Sequence, residues 1–383
     1  MRDKSSYIKI EKIWAHKLLQ VLKKEFRNKI ELDRKRKVLY ENNYVLFPIH
    51  HNALKNKQFK QILNKQFECQ VVLRKSVLSI YSKTRSLYNT FSTELPKKIK
   101  KLVPRSYDII GDIAILEFEQ SDALSKEKYD KLKKQVAEKL ININKTIIKV
   151  FEKKSEVKGL YRLRDFKILS GEDNSETVHK ENKCQFKLDI KKVYFSPRLV
   201  LERKRISMLD YKEGEKIIDL FAGVGPFSIQ IAKHHNVVVN AFDVNPDAYY
   251  YLLENLEINK IKGKISACLL NVLELLNPLN EIGLTLKSKA ERIIMNLPEN
   301  ALDYIKVACY LMQDSGGIIH IYQFSEKPNS IKKSIQKVDL ELTKNGWLIE
   351  KVINAKVVKP FSPKADLTIL DLKIKKIQNL ITF

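Results

Sequence analysis

The sequence is poor in cysteine and has no long apolar run, and both shortages limit the class of protein to which it can belong. Four cysteines occur in 383 residues, and no two of them form a C-x-x-C pair. We therefore expect reduced thiols in a cytosol-like compartment and no zinc or other metal site. No segment is long and apolar enough to predict a membrane span, and the N-terminus has neither a secretory apolar core nor an evident mitochondrial presequence.

Acidic residues are scarce in the first half of the chain. Residues 1–194 hold 45 Lys and Arg against 24 Asp and Glu, whereas residues 195–383 hold 26 against 21. The net charge of +26 is therefore divided as +21 and +5. This uneven distribution predicts that the first half binds a polyanion such as a nucleic acid. The alternative is a lysine-rich composition that only keeps the protein soluble.

Changes in the sequence pattern predict three regions. Residues 1–105 form a basic N-terminal region. Residues 106–194 contain short strands, a helix and a hairpin that turns at residues 181–183, which predicts a small α+β domain. In residues 195–383 strands alternate with helices, and the chain ends in two extended segments. We therefore predict an α/β fold whose last domain is doubly wound and Rossmann-like.

The stretch DLFAGVGPFS, residues 219–228, places Gly223 and Gly225 between an apolar strand and a helix. Glycines at such a turn let a ligand come close to the backbone. A P-loop would need a Lys followed by Ser or Thr after a longer loop, and a dinucleotide site would need a third glycine where Ser228 stands. The remaining candidate is S-adenosylmethionine, which has no phosphate and needs an acid at the tip of the next strand for its ribose hydroxyls.

An acid does follow the next predicted strand. The run VVVNAF ends at Asp243, 18 residues after Gly225, and one carboxylate can accept hydrogen bonds from two hydroxyl groups. Val244 would offer an apolar wall to the adenine. These features together favour methyl transfer. The alternative is an ordinary strand-to-helix turn in which the Asp caps a helix.

A second motif, ERIIMNLPEN, places Asn296 after a buried strand and before Leu297 and Pro298. Because proline restricts the residue before it to extended geometry, we expect the Asn amide to be held at the carboxyl edge of the sheet, where α/β domains bind ligands. Methyltransferases that act on planar nitrogens often hold the target base with a related Asn/Asp-Pro-Pro-aromatic turn, although the second proline and the aromatic residue are missing here. The alternative is a simple turn that contains an Asn.

The stretch KKVYFSPRLVLERKRI, residues 191–206, joins the two predicted domains. Together with DLFAGVGPFS, FDVNP and NLPEN, it closely resembles the tRNA (guanine-N1)-methyltransferases of eukaryotes and archaea, which modify the guanosine at position 37, 3′ to the anticodon. The resemblance is strong from about Ser106 to the C-terminus and faint across residues 1–100. It implies a class I methyltransferase domain with S-adenosyl-L-methionine as cofactor.

The resemblance also implies a partner for the basic half of the chain. We expect a monomer that binds tRNA in a 1:1 complex through the anticodon stem-loop and the body, with an affinity that falls as salt rises. Residues 1–105 would recognise the tRNA, and residues 106–194 would form an RNA-binding domain. The implied location is the cytoplasm and nucleus, with the mitochondrial matrix as a further site.

Four catalytic residues follow from the resemblance. N1 of neutral guanine carries a proton that must leave during attack, which requires a general base, and Glu202 matches the family's glutamate in this role. Negative charge then builds on O6, and Arg162 in GLYRLRD matches the arginine that stabilises it. Asn296 would hold the guanine edge, the cofactor or both, and Tyr194 would stack on or orient the nucleotide. On a strand, Arg162 and Arg164 would share a face, so that one grips the base and the other a phosphate.

Each of these residues also has a simpler interpretation. Glu202 lies in LERKR and could pair with a Lys or Arg one helical turn away. Arg162 could be one more solvated cation, and Tyr194 could belong to the core.

The cofactor site has one departure from the family pattern. At the tip of the third strand, the family usually has an acid and this sequence has Asn271-Val272. An Asn can still pair with the adenine amino group through its carbonyl, so we expect weaker cofactor affinity rather than lost activity. Arg203 matches a family position that contacts the cofactor, although Lys204 and Arg205 would serve equally well on charge alone. The predicted cofactor-binding residues are Arg203, Asp219, Gly223, Gly225, Asp243, Val244, Asn271, Val272 and Asn296.

Two other functions are left open by the sequence. A sister class of enzymes shares the fold and much of the glycine turn but transfers the aminocarboxypropyl group of the same cofactor during wybutosine synthesis. Its members typically carry an aromatic residue where Pro226 stands and lack the Asn-Leu-Pro turn. The other possibility is a non-catalytic RNA-binding protein with a relic methyltransferase domain.

Overall fold

The computed structural model describes residues 4–26, 32–33, 36–50, 52–75, 91 and 95–377. The chain forms two compact units, Met1–Arg105 and Ser106–Phe383. The three predicted regions and their separate roles stay predictions. Within the described ranges, no helix combines the length and the apolar character that a membrane span requires.

The first unit is built on a four-stranded antiparallel sheet in the order β2–β3–β1–β4. The predicted helix over EKIWAHKLLQVLKKEF is present, and it buries Leu18 and Leu22 against Ile8, Ile10 and Phe59. The elements are β1 (Lys4–Glu11), α1 (Lys12–Phe26), β2 (Leu39–Glu41), β3 (Tyr44–Pro48), α2 (Lys57–Gln66), β4 (Cys69–Lys75) and α3 (Lys97–Lys100).

The second unit opens with a smaller four-stranded sheet in the order β5–β6–β7–β8. Gly111 lies between its first two strands at φ 59°, as a tight turn requires. Ser125 caps the helix of this region by accepting a hydrogen bond from the Lys128 N–H. The elements are β5 (Asp108–Ile110), β6 (Ile113–Leu116), α4 (Lys126–Ile143), β7 (Lys149–Lys153) and β8 (Phe166–Ser170).

The predicted hairpin is confirmed as β9 (Glu176–Glu181) and β10 (Cys184–Asp189). Asn182 and Lys183 turn the chain with φ angles of 46° and 65°, which suit the right-handed twist of a two-residue hairpin. The hairpin does not join the smaller sheet. It packs Phe186 and Leu188 into the same hydrophobic core as residues of the larger sheet that follows.

The larger sheet has seven strands in the order β13–β12–β11–β14–β15–β17–β16. The first five strands of that order are parallel, β17 runs antiparallel to them, and β16 pairs antiparallel with β17. This arrangement confirms the predicted Rossmann-like fold and its terminal extended pair. Its strands are β11 (Lys216–Asp219), β12 (Val238–Asp243), β13 (Lys264–Leu269), β14 (Arg292–Met295), β15 (Gly317–Glu326), β16 (Trp347–Pro360) and β17 (Ala365–Lys376).

Helices cover both faces of this sheet, and two hydrophobic clusters lie between the layers. They are α5 (Val200–Ser207), α6 (Ser228–His234), α7 (Pro246–Ile258), α8 (Glu281–Leu286), α9 (Ile305–Leu311) and α10 (Ser330–Lys344). The order of the strands reverses between β11 and β14. Ligands of open α/β sheets bind at such a reversal, beyond the carboxyl ends of the strands, and the pocket described next lies there.

Candidate active site

A pocket lies beyond the carboxyl ends of β11, β12, β13 and β14, and it brings most of the predicted site residues together. Three of them, Glu202, Asp219 and Gly225, do not line it. Those that do are Arg162, Tyr194, Arg203, Gly223, Asp243, Val244, Asn271, Val272 and Asn296.

The two glycines of the turn have different reasons to be glycine. Both have positive φ, 55° at Gly223 and 86° at Gly225, which favours glycine at each position. A Cβ at Gly223 would come no nearer than 3.9 Å to the Tyr194 carbonyl oxygen, so this residue opens onto the pocket. A Cβ at Gly225 would lie 2.4 Å from Leu252 Cδ1 and 2.9 Å from Ile229 Cδ1. Gly225 therefore lets the turn pack against helices α6 and α7 rather than giving a ligand access.

Asp243 at the end of β12 ties the glycine turn to the pocket. Its Oδ2 accepts a hydrogen bond from the Gly223 N–H at 2.7 Å, and its Oδ1 accepts one from the Asn245 N–H at 2.9 Å. Burial raises the pKa of Asp243, and these backbone donors oppose the rise. Each oxygen has a further lone pair, so the carboxylate can still accept hydrogen bonds from ligand hydroxyls.

Asp219 lies behind the glycine turn instead of in the pocket wall. It is fully buried, and its Oδ2 accepts a hydrogen bond from the Ser228 hydroxyl at 2.8 Å, which links the end of β11 to the start of α6. Its Oδ1 has no hydrogen-bond partner. Burial raises the pKa of Asp219 to about 7. Its direct contact with a cofactor stays a prediction.

Two asparagines end the next strands of the pocket. Asn271 accepts a hydrogen bond from the Leu273 N–H at 3.1 Å and caps the short helix of residues 272–276. Asn296 follows β14, and its Oδ1 is buried without a hydrogen-bond partner. Because buried polar atoms are almost always paired in folded proteins, this oxygen indicates a donor on a bound ligand.

Arg162 reaches the pocket from a turn, so the prediction that it lies on a strand with Arg164 is wrong. Lys158 and Leu163 form an isolated antiparallel bridge that closes the turn between them. Gly159 and Arg162 both have positive φ within it, and the value at Arg162 is 57°. That conformation is uncommon for a residue with a side chain, and it places Arg162 in the turn and not on a strand.

The Arg162 guanidinium has two partners at the pocket. Its Cζ lies 4.9 Å from the centre of the Tyr194 ring, a cation–π contact. Its Nη1 lies 2.8 Å from Glu299 Oε2, and the Arg162 side chain is only 13% exposed. Sequence reasoning missed Glu299, although the residue stands in the NLPEN motif three positions after Asn296.

Glu202 is buried in helix α5 and ion-paired on both oxygens. Its Oε2 accepts a hydrogen bond from Arg205 Nε at 3.0 Å, the one-turn pair that the sequence allowed as an alternative. Its Oε1 pairs with Lys356 Nζ of β16, a partner that the sequence did not reveal. The side chain is 6% exposed, so these cations shield the carboxylate from solvent. Its role as general base stays a prediction.

Arg203, the next residue, lines the pocket and is held by the β9–β10 hairpin. Glu181 accepts two hydrogen bonds from it, from Nε at 2.5 Å and from Nη2 at 2.6 Å. The guanidinium also donates to the Ser196 carbonyl and lies over the Phe195 ring. Burial would raise the pKa of Glu181, but hydrogen bonds from His179 and Arg203 outweigh it and lower the pKa to about 2. The hairpin therefore positions one pocket wall.

The fold and pocket together define a class of protein. The sheet is mostly parallel, and its glycine turn lacks the lysine of a P-loop and the third glycine of a dinucleotide site. With an acid after the second strand and an unpaired amide oxygen after the fourth, these features define a Rossmann-like methyltransferase fold with a nucleoside pocket. No cluster of metal-ligating side chains occurs in the part of the chain that the structure describes.

The particular family follows from comparison with known proteins. Residues 177–349 match the TRM5/TYW2 methyltransferase domain, and residues 87–174 match the TYW2 N-terminal domain. The tRNA (guanine(37)-N(1))-methyltransferase Trm5b of Pyrococcus abyssi is 33% identical over 343 residues, which cover 90% of this chain and 92% of that protein. The chain belongs to the TRM5/TYW2 methyltransferase family.

Other relatives include both branches of this family. The tRNA(Phe) (4-demethylwyosine(37)-C(7)) aminocarboxypropyltransferase of Methanocaldococcus jannaschii is 30% identical over 274 residues, 71% of this chain and 98% of that protein. A complex of aTrm5 with tRNALeu superposes with a TM-score of 0.61 at 32% identity, covering 96% of this chain and 99% of that chain. Methanocaldococcus jannaschii Trm5 in complex with adenosine gives a TM-score of 0.61 at 30% identity over 97% and 99%.

Proposed function

We propose that this protein transfers a methyl group from S-adenosylmethionine to N1 of guanosine 37 in tRNA. The observation that carries the proposal is the composition of the pocket, in which one end has groups that suit a nucleoside cofactor and the other has groups that suit a purine base. The family supports it, because a tRNA (guanine(37)-N(1))-methyltransferase is similar over nine tenths of the chain.

The cofactor end of the pocket fits S-adenosylmethionine. Asp243 presents carboxylate oxygens with lone pairs for ribose hydroxyls, and Gly223 leaves the turn open on the pocket side. Val244 and Val272 supply apolar surface for the adenine. When bound, the cofactor supplies an electrophilic methyl group on its sulfonium. The residues of this end orient the nucleoside and exclude water from the reacting side.

The base end holds the groups that guanine requires. Tyr194 is 37% exposed and offers a ring on which the nucleotide can stack. Arg162 would face O6 and stabilise the negative charge that develops there as the N1 proton leaves. The unpaired Oδ1 of Asn296 would accept a hydrogen bond from the guanine edge or from the cofactor.

The proton must pass to a base, and we assign this role to Glu202. Its carboxylate is held by Arg205 and Lys356, and Glu202 does not line the pocket. If Glu202 exchanged its ion pair with Lys356 for a contact with the guanine, one of its carboxylate oxygens would move towards the pocket. Lys356 is 40% exposed and has the rotamer freedom to leave, whereas Arg205 is fixed by Asp371 at 2.6 Å. Catalytic contacts often form only in the complex.

The basic part of the chain would bind the tRNA and present its nucleotide 37 to the pocket. A loop nucleotide must be splayed out of its stack to enter an α/β pocket. Residues 1–194 hold a net charge of +21, which suits phosphate contacts with the tRNA body and anticodon stem-loop. We propose that the protein acts as a monomer on one tRNA.

The test is to incubate the protein with labelled S-adenosylmethionine and unmodified tRNA transcripts that carry guanosine or adenosine at position 37. We expect label only in the guanosine transcript, located at N1 by nucleoside analysis. Label in both transcripts, or in neither under conditions where the cofactor binds, would contradict the proposal.

The match of residues 87–174 to the TYW2 N-terminal domain keeps aminocarboxypropyl transfer as a second candidate. Pro226 in the pocket wall and the turn of Asn296 and Leu297 favour methyl transfer over it. Mass spectrometry of the product separates the two, because a methyl group adds about 14 Da and an aminocarboxypropyl group adds about 101 Da.

A further inference from the structure

A buried carboxylate of the larger sheet, Asp371 of β17, is linked to Glu202 through one arginine. Arg205 donates from Nη1 to Asp371 Oδ2 at 2.6 Å and from Nη2 to Asp371 Oδ1 at 3.3 Å. The same guanidinium donates from Nε to Glu202 Oε2 at 3.0 Å. Because a guanidinium is planar and presents its donors in a fixed fork, acceptors on both sides of it hold it in one orientation. Arg205 is therefore a rigid bridge between the two acids.

The Asp371 carboxylate is fully paired. A carboxylate offers about four acceptor sites, and Arg205 occupies two of them. His320 Nδ1 lies 2.7 Å from Oδ1, and the Asn354 amide donates to Oδ2 at 2.9 Å. The register of the sheet explains both contacts, because Asp371 stands opposite His320 of β15 and opposite Asn354 of β16. The Asp371 side chain is 2% exposed, so it cannot turn without leaving buried donors unpaired.

His320 extends this anchor, and its neighbours determine where its proton lies. Its Nε2 is 3.0 Å from Arg292 Nη1, and a guanidinium can only donate. The ring proton is therefore on Nδ1, which donates to Asp371. Burial lowers the pKa of His320, which favours this neutral form. Arg292 is in turn paired with Glu215, with Nε 2.6 Å from Oε1, so Asp371 is fixed by a chain of buried contacts.

The two oxygens of Glu202 are consequently held in unequal ways. Oε2 is held by Arg205, which Asp371 fixes in place. Oε1 is held by Lys356, whose side chain is 40% exposed and flexible. If Lys356 leaves, Oε1 can move only on an arc about the anchored oxygen. The arrangement suits a base that keeps one oxygen fixed and presents the other to a substrate.

We propose that Asp371 is a positioning residue for methyl transfer: through Arg205 it holds Oε2 of Glu202, so that Oε1 takes the N1 proton of guanine. The inference rests on the proposed function, because it needs Glu202 as the general base. In this step the N1–H bond breaks, its electron pair stays on N1 for the new bond to carbon, and Glu202 becomes a neutral carboxylic acid. Asp371 does not line the pocket and acts only through Arg205.

The experiment compares single-turnover methyl transfer at saturating cofactor and tRNA in the unmodified protein, Asp371→Asn, Glu202→Gln and the double variant. Asp371→Asn puts an amide donor where the carboxylate accepts, so the Arg205 bridge loses part of its anchor. We expect Asp371→Asn to slow the transfer about tenfold or more, as for a displaced catalytic group. The dissociation constants for S-adenosylmethionine and tRNA should stay nearly unchanged, because Asp371 is outside the pocket.

The double variant shows whether Asp371 acts through Glu202. If it does, Asp371→Asn causes no further slowing once Glu202→Gln has removed the base. Equal slowing by Asp371→Asn in both backgrounds overturns the proposal, since a general effect on the fold would give that result. An unchanged rate for Asp371→Asn in the otherwise unmodified protein overturns it as well.

Glu152→Gln is the matched control for the loss of a buried ion pair. The Glu152 side chain of β7 is 4% exposed, pairs with Lys133 at 2.7 Å and does not line the pocket. We expect Glu152→Gln to lower the melting temperature and leave the rate unchanged. Slowing by this control equal to that by Asp371→Asn would assign the effect to destabilisation and overturn the proposal.

Arg205→Lys replaces Asp371→Asn if thermal melting shows that Asp371→Asn is not folded. It keeps the positive charge beside Glu202 but lacks the planar fork that bridges the two acids. We expect Arg205→Lys to slow the transfer in the otherwise unmodified protein and to have no further effect beside Glu202→Gln. Equal slowing in both backgrounds would again overturn the proposal.

The outcomes separate this proposal from the proposed function. An absence of methyl transfer by the unmodified protein would refute the proposed function, and the positioning role would fall with it. A full rate in Glu202→Gln would refute both the base and its positioning residue while methyl transfer itself stands. A slow Glu202→Gln on which the effect of Asp371→Asn is simply added would keep the proposed function and overturn the positioning role alone.

Discussion

At the scale of the residue, one cation of the pocket wall, Arg162, is already engaged in an ion pair. Arg162 and Glu299 are 2.8 Å apart, and Glu299 is 46% exposed. The same guanidinium is the group that would face O6 of guanine. Glu299 therefore competes with the substrate for Arg162, and its negative charge also repels the RNA backbone.

We predict that Glu299→Gln tightens tRNA binding about threefold, with a single-turnover rate that is unchanged or higher. The amide keeps the shape of the side chain but removes the competing charge. The matched control is Glu257→Gln, which removes an exposed acid near the end of helix α7 that does not line the pocket. Weaker binding by Glu299→Gln would mean that this acid positions Arg162 for substrate rather than competing with it.

Asp219 predicts a pH dependence of stability. Its pKa of about 7 in the folded protein lies above the value of about 3.9 expected when unfolded, so the folded state binds the proton more tightly. Stability from this group is therefore present at low pH and is lost as pH rises through the interval from about 4 to about 7. The loss is at most about 1.4 kcal/mol for each pH unit within that interval.

The variant Asp219→Asn isolates this effect, because its side chain can still accept the Ser228 hydrogen bond but does not titrate. We predict that Asp219→Asn becomes more stable relative to the unmodified protein as the pH rises from 5 to 8, because only the unmodified protein loses stability over this range. Urea denaturation at both pH values measures the difference. A relative stability that does not change with pH would show that Asp219 stays ionised in the fold.

Glu202 gives the sharpest test of the chemistry. We predict that Glu202→Gln slows methyl transfer about a hundredfold or more in single-turnover assays, the usual size of a lost general base, with cofactor and tRNA affinities nearly intact. Loss of the proton acceptor explains this pattern. If Glu202 only holds Arg205 and Lys356 in place, the variant would instead lose thermal stability and keep its rate.

At the scale of the element, the β9–β10 hairpin acts as a brace for helix α5. Glu181 of β9 grips Arg203 of α5 through two hydrogen bonds, and Gln230 of α6 donates to the same carboxylate at 2.7 Å. Asn182 at the hairpin turn donates to the Val200 carbonyl at the start of α5. The hairpin thereby fixes the helix that carries both Arg203 and Glu202.

A double-mutant cycle tests this brace. We predict that Glu181→Gln destabilises the protein by about 3 kcal/mol, because it leaves the buried Arg203 charge without its counter-ion. We further predict that Glu181→Gln and Arg203→Gln together cost less than the sum of the single changes, since the second change removes the unpaired charge. Cofactor affinity should fall in each single variant, because Arg203 lines the pocket. Additive losses of stability would mean that the two residues act independently.

The sequence predicted elements well where local rules determine them. The hairpin turn, the Ser125 cap and the parallel strands all follow from short-range patterns, and Asn296 was predicted at a strand end for the same reason. The errors have two sources. The strand predicted for Arg162 is replaced by a local turn, closed by the bridge of Lys158 to Leu163, that the alternating pattern did not reveal. The Lys356 partner of Glu202 comes from a distant segment and is within reach only because β16 lies beside that helix in the fold.

At the scale of the whole molecule, most of the net positive charge and the predicted site residues lie in different parts of the sequence. Residues 1–105 hold 26 Lys and Arg against 8 Asp and Glu, a net charge of +18 out of +26. The predicted site residues all lie in the second unit, Ser106–Phe383. The sequence alone indicated this division, because charge can be counted without knowing the fold. It could not show that the predicted α+β and Rossmann-like regions share one hydrophobic core.

This division of charge and site residues predicts that tRNA binding and catalysis can be separated by truncation. A protein of residues 106–383 should bind S-adenosylmethionine with unchanged affinity, because every residue of the pocket is retained. Its affinity for tRNA should fall more than tenfold at moderate salt, and the slope of log K against log salt should become shallower, since most of the positive charge is lost. Titrations with full-length tRNA and with an anticodon stem-loop measure both quantities.

The two RNAs distinguish general electrostatic attraction from recognition of the tRNA body. If residues 1–105 contact the body, the truncation weakens binding of full-length tRNA much more than binding of the stem-loop, which has no body to lose. Equal weakening for both RNAs would mean that the first unit attracts any RNA through its charge alone. An unchanged affinity for full-length tRNA would contradict the assignment of residues 1–105 to substrate recognition and leave the second unit as the sole RNA-binding part.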